Sequence, residues 1–184
     1  MGKLKKLFKL HILPISVMLV MFLISCEARG EGECSRWWDL SSEQRYRLQW
    51  AYSYGEQYDL GWTMSAIAWH ESNAGQYKIN IKSNDYGVFQ VNLITATDIM
   101  GISGYWNKQA LITKMVVDDE FNAYLALHVL QHFQKTRKSW KSVVRSYNEG
   151  NKWLKDEKSS NKSLDYYKKI RNNVITLKQC SDFN

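Results

Sequence analysis

Glu71 is the residue best placed for chemistry in this sequence. It closes the apolar run Ala66-Ile67-Ala68-Trp69, broken only by His70, near the C-terminal end of what reads as a helix. A carboxylate there meets apolar neighbours and the negative end of the helix dipole, and both disfavour its ionised form. A glutamate with a raised pKa is what a general acid requires near neutral pH. The competing reading is a glutamate on the polar side of the helix, satisfied by local hydrogen bonds. A second carboxylate, Asp85, lies in a turn-like stretch after the chain has folded back, so proximity to Glu71 is credible. Asp85 also reads as a turn residue bonding nearby backbone N–H groups. Other constellations fall short. His70-Glu71 begins a zinc-protease motif, but Ala74 stands where the second histidine belongs. His128 and His132 lie four apart on one helix face with no third ligand in view. There is no glycine-rich phosphate loop and no Ser-His-Asp ordering. No metal and no cofactor is expected.

The elements that position Glu71 follow from periodicity. Tyr46, Trp50 and Tyr54 share one face of a helix that Ser41 or Ser42 caps and that runs to about Tyr58. The Glu71 helix starts near Trp62, with Gly61 or Thr63 at its cap, and stops at Asn73 to Gly75. Tyr77, Ile79 and Ile81 then alternate with Lys78, Asn80 and Lys82, the period of a strand. Ser83-Asn84-Asp85 is turn chemistry, and 86–92 is a second extended stretch. Helices are expected over 93–100, 107–116, 118–135, 139–148 and 161–177, with Asn107, Asp118 and Ser139 as caps. The class is therefore mostly α (α+β): six or seven helices with a small β lobe. At 184 residues, 45% hydrophobic and 23% charged, the chain suits one globular domain.

The N-terminus reads as an export signal over 1–25. Lys3, Lys5, Lys6 and Lys9 precede an apolar run from Leu10 to Ile24, and Ser25 is a small residue before a cut. Cys26 directly after Ser25 resembles the lipobox of bacterial lipoproteins, which implies a lipidated Cys26 and a membrane-held protein. Glu27 in place of aspartate favours the outer membrane by the same analogy. The alternatives are an ordinary signal peptide and an uncleaved anchor. Residues 26–38 read as a tether, leaving 39–184 for the fold. With Cys26 lipidated, Cys34 and Cys180 remain, an even number in an oxidising compartment. Joined, they tie the ends of the mature chain together, worth about 5 kcal/mol by loop entropy; two free thiols is the other reading. The net charge is +7, of which the signal carries four, and residues 135–184 alone hold 13 basic and 5 acidic side chains. In an exported protein such a basic third faces an anionic wall or membrane rather than nucleic acid, or is a solvated helical face.

Three segments then stand in order: Glu71-Ser72, Gly87-Val88-Phe89-Gln90, and Ser146-Tyr147-Asn148-Glu149-Gly150. Together they resemble the lytic transglycosylase (SLT) domain of the lysozyme-like superfamily, in its small secretion, conjugation and phage-type members. Ser146 replaces the usual alanine. Tyr166-Tyr167-Lys168-Lys169-Ile170 resembles the family's closing helix, so the likeness spans about 40–175. The resemblance implies a peptidoglycan substrate, cleaved between MurNAc and GlcNAc. It makes Glu71 the general acid and then the base, with a 1,6-anhydro product and no second protein carboxylate. It implies that Ser83 binds the acetamido group, as a serine near this point does in the family. Gln90, with an amide that both donates and accepts, and Tyr147, with a hydroxyl on an aromatic ring, suit a sugar by their chemistry, and Asp85 and Asn148 are the other expected substrate contacts. Gln90 also reads as a hydrogen bond holding the lobe, and Tyr147 as core. The segment from Asp85 to Asn92 resembles, in addition, the strand bearing the second carboxylate of animal c-type lysozymes. That leaves a hydrolytic muramidase using Glu71 and Asp85 as an alternative, beside a non-catalytic peptidoglycan-binding lipoprotein.

Overall fold

The computed structural model describes residues 34–183. The signal at 1–25, Cys26 and the tether up to residue 33 lie outside the described residues. After a helical stretch at 34–38, α-helices and a three-stranded sheet follow in the order α1 (Ser42–Glu56), α2 (Gly61–Ser72), β1 (Ile79–Asn80), β2 (Asp85–Tyr86), β3 (Val91–Asn92), α3 (Leu93–Met100), α4 (Tyr105–Val117), α5 (Asp119–Thr136), α6 (Trp140–Glu149) and α7 (Glu157–Cys180). A 3₁₀ turn at Lys152–Leu154 joins the last two. The fold is mostly α with a small antiparallel lobe, as the sequence indicates.

Helix α2 is the axis of the molecule. Met64, Ala66, Ile67, Ala68 and Trp69 are all buried, so it is apolar around most of its circumference. That pattern marks a helix covered on several sides. Helices α1 and α7 cover it. Gly61 permits the close approach of α1, because a Cβ at that position stands 2.8 Å from the Tyr52 carbonyl oxygen. Asn173 of α7 donates to the Ala66 carbonyl at 3.2 Å. Helix α7 presents Ser163, Tyr166, Ile170, Asn173 and Leu177 inward, the 3-4-3-4 spacing of one helical face.

Caps account for most of the helix boundaries. Ser41 forms a capping box with Gln44. Asp118, Ser139 and Asp156 each accept a backbone N–H of the first turn. Asp156 starts α7 several residues before the expected 161. Helix α4 likewise starts before Asn107, the expected cap: Gly104 stands at its N-cap, and Asn107 donates from inside the first turn to the Ser103 carbonyl at 3.0 Å. Gly61 and Thr63 are both inside α2, whose N-cap is Leu60 without a side-chain bond.

Two further differences matter. Residues 34–38 are helical, and Trp37 is buried edge-on against Trp69 and Phe183. The fold therefore takes in the last part of the segment read as a tether. Cys34 and Cys180 are both disulfide-bonded. In the lobe, the alternation over 77–82 does not divide core from solvent: Tyr77, Ile79 and Ile81 are all exposed, Ile81 at 75%. Strands of two residues are too short to bury a face. The lobe is held instead by side chains reaching in from helices. Lys78 and Arg47 of α1 both pair with Asp119 of α5, at 2.5 and 3.1 Å.

Candidate active site

Glu71 is the penultimate residue of α2 and is half-buried. The Tyr166 hydroxyl of α7 donates to its Oε1 at 2.6 Å. Burial pushes the Glu71 carboxyl up to about 7. The Tyr166 bond opposes that rise, the Asp85 charge adds to it, and Lys162 opposes it. Glu71 is thus poised to hold a proton near neutrality and to release it. The Tyr166 and Tyr147 hydroxyls are held well above their ordinary value, first by burial and then by the Glu71 charge. Tyr166 therefore stays a donor to Glu71 throughout the working range.

The second element of the site is the turn Tyr86-Gly87-Val88-Phe89-Gln90, whose first four carbonyls all accept from side chains. Asn122 of α5, fully buried, accepts from the Phe89 N–H at 2.8 Å and donates to the Tyr86 carbonyl at 2.9 Å. Gln90 Nε2 donates to the Gly87 carbonyl at 2.9 Å. Ser72 Oγ of α2 donates to the Val88 carbonyl at 2.7 Å and accepts from the Gly75 N–H. The Tyr147 hydroxyl of α6 donates to the Phe89 carbonyl at 2.8 Å. Four consecutive carbonyls are each taken by a different side chain. Ser72, Gln90 and Tyr147, three residues of the recognised motifs, thereby brace one turn against the helix that carries Glu71.

This sorts the residues expected at the site. Glu71 and Asp85 interact electrically, and Tyr147 feels both charges. Asp85 accepts from Asn92 Nδ2 at 2.8 Å, across the register that pairs Asp85 with Asn92. Gln90 takes φ +47° and directs its amide N–H groups to backbone, to Gly87 and, at 3.3 Å, to Tyr77. Both of these bonds serve the lobe. Ser83 is exposed on the turn between β1 and β2, its carbonyl accepting from Asn92. Asn148, next to Tyr147, has a buried Oδ1 with no hydrogen-bond partner among the described residues.

The sequence places Tyr166 in the segment that resembles the family's closing helix but does not mark it as the donor to Glu71. Asn122 and Lys162 carry no local signal, and nothing near Asn122 marks it as a bridge to a turn far away in sequence. Lys162 of α7 pairs at 2.5 Å with Glu149, whose side chain is only 9% exposed. That pair keeps a cation near Glu71. Among the described residues no group of three or more His, Cys, Asp or Glu side chains is placed to hold a metal, and no helix is long and apolar enough to cross a membrane.

Ser146, where the motif usually has alanine, has a structural use here. Its Oγ is buried and accepts from Arg137 Nε at 2.9 Å and Trp153 Nε1 at 3.0 Å. The Arg145 guanidinium lies 3.9 Å from the centre of the Trp153 ring. Ser146→Ala removes the shared acceptor and is expected to cost about 1–3 kcal/mol. Urea denaturation reads this directly; an unchanged midpoint would show that these bonds contribute nothing.

Comparison with known proteins agrees with this geometry. No curated protein and no solved structure matches the chain. The family model described as the transglycosylase SLT domain matches residues 45–170, a stretch that runs from α1 to the inner face of α7 and contains Glu71, the braced turn, Tyr147 and Tyr166. With a lysozyme-like arrangement of helices around a small lobe and more than half its length matched, the chain belongs to the SLT transglycosylase domain family.

Proposed function

We propose that the protein is a peptidoglycan lytic transglycosylase that breaks the MurNAc–GlcNAc β-1,4 bond with Glu71 as its acid and base. The observation that supports this most is the Glu71 carboxyl itself: half-buried at the end of an apolar helix, bonded by Tyr166, and raised to about 7. Family membership supplies the substrate class, peptidoglycan. Protonated Glu71 gives its proton to the glycosidic oxygen, and the C1–O4 bond breaks. The substrate's acetamido group stabilises the cationic C1 centre. The resulting Glu71 carboxylate, held by Tyr166 and facing the Lys162 charge, takes the proton of the C6 hydroxyl. O6 then closes on C1, giving a 1,6-anhydro end without water.

One observation favours a second reading. Asp85 is near enough to raise Glu71, so a hydrolase with two carboxylates is the alternative. Against it, Asp85 is engaged with Asn92 inside the lobe. Asp85→Asn separates the two. As a positioning residue, its loss costs about ten-fold in turnover, or 1.4 kcal/mol in the barrier. As a nucleophile or counter-charge, its loss removes nearly all activity, and that result would overturn the single-carboxylate scheme. A binding protein without catalysis does not require a protonatable Glu71.

The proposal includes export and a lipid on Cys26. Labelled fatty acid should then enter the wild type and not Cys26→Ser; an unlabelled wild type with a free amino terminus would refute the anchor.

A further inference from the structure

A cleft lies at the far end of α7 from the acid. Gln179 is thirteen residues beyond Tyr166, which at 1.5 Å per residue is about 20 Å along the helix. The cleft has a volume of about 480 Å³ and is lined on one side by α1 and on the other by the C-terminal segment. That volume falls within the range of small-ligand sites. Arg45, Tyr46 and Gln49 belong to one face of α1, at helical spacings of three and four. Gln179 and Asp182 face them from the C-terminal segment. Trp38 closes the rim.

The chemistry of this lining is specific. Trp38 and Tyr46 leave their rings 63% and 71% exposed, while Trp37 and Phe183, directly behind, are buried against each other at 5.5 Å. The floor is therefore firm and the two rings at its edge are available. Arg45 donates to the Leu40 carbonyl at 2.5 Å and lies 5.8 Å from the centre of the Trp38 ring, so its guanidinium is already engaged in holding this corner. Arg45 and Asp182 balance in charge. Gln49 and Gln179 bring planar amides, each both donor and acceptor. Rings for apolar faces, amides for hydroxyl and acetamido groups, and no net charge describe a site for a neutral sugar. An anionic headgroup would meet an occupied arginine and an opposed aspartate.

We propose that this cleft is a second saccharide site, which takes β-1,4-linked N-acetylglucosamine-type glycan away from the catalytic carboxylate. It rests on the peptidoglycan reading above and extends it: one part of the wall is held while another is cut.

The probe is the tetramer of β-1,4-linked N-acetylglucosamine, titrated into the full chain by NMR. The indole resonance of Trp38 and the resonances around Glu71 are followed separately. The expected result is a saturable shift at Trp38, lost in Tyr46→Ala. Pelleting with purified sacculi should weaken about ten-fold in Trp38→Ala with Tyr46→Ala, the scale of about 1.4 kcal/mol for lost aromatic contacts. Turnover of a short soluble glycan by that double variant should be unchanged. Both rings are exposed, so the variants are expected to fold. Shifts around Glu71 with none at Trp38 would overturn the second site and leave the catalytic reading intact. A Trp38 shift with anionic lipid bicelles but not with the tetramer would overturn it in favour of a membrane contact. A Trp38 shift without any response around Glu71 would support this cleft and count against the active-site reading.

Discussion

Glu71→Gln is expected to lower turnover of purified sacculi by about 10²–10⁴-fold, the usual loss when a general acid is removed. The side chain keeps its shape and still accepts from Tyr166, so the fold survives. The same substitution should change stability in a pH-dependent direction. The folded carboxyl titrates at about 7, against 4.5 for the unconstrained group. Between those values the native state holds a proton that the unfolded chain has released. The stability present below pH 4.5 is therefore lost as pH rises toward 7, by about 3 kcal/mol in all. Glutamine carries no such charge. Relative to wild type, Glu71→Gln should gain stability from pH 4.5 to 8 while remaining inactive. Urea midpoints across that range would show it. A variant that gained nothing would mean that burial does not penalise the Glu71 charge.

The second large effect is expected at Gly87. Its φ is +85°, and a Cβ there stands 2.2 Å from the Asn122 side chain. Gly87→Ala therefore meets two penalties at once. A non-glycine residue at this φ costs about 1–3 kcal/mol. Displacing Asn122 also breaks its bonds to Phe89 and Tyr86, leaving a buried amide unsatisfied at about 1–3 kcal/mol more. The lobe should loosen from α2, α5 and α6 together, because all three hold the same turn. Amide exchange of Phe89 should quicken, and activity should fall with it. A loss under about 0.5 kcal/mol, the range of an ordinary surface change, would contradict this account of the turn.

What was legible in sequence has physical causes. Helix α2 announced itself because it is apolar nearly throughout, and Glu71 stood out against that background. Ser41, Asp118 and Ser139 were readable as caps because capping is local, set within three residues. The lobe was less legible. Its strands have two residues each, so the alternation of Tyr77, Ile79 and Ile81 reports no buried face. Its stability comes from Ser72, Asn122 and Tyr147, on three different helices, and local patterns carry no trace of such contacts. Gln90 has the residue type of a ligand, and its bonds to the Gly87 and Tyr77 carbonyls, which brace the lobe, follow from its φ of +47° and are not legible locally. Tyr166 stood in the segment that resembles the family's closing helix, but its use as a donor to Glu71 depends on the packing of α7 against α2.

The central claim is that one protein carboxylate performs the whole reaction and the substrate's own hydroxyl completes it. Mass spectrometry of the glycan fragments released from purified sacculi tests this most directly. Closure of O6 on C1 yields ends lighter by one water than the hydrolytic product, and these 1,6-anhydro ends should dominate with wild type and disappear with Glu71→Gln. Fragments with ordinary reducing ends as the main product would mean that water is the acceptor, and would contradict the account.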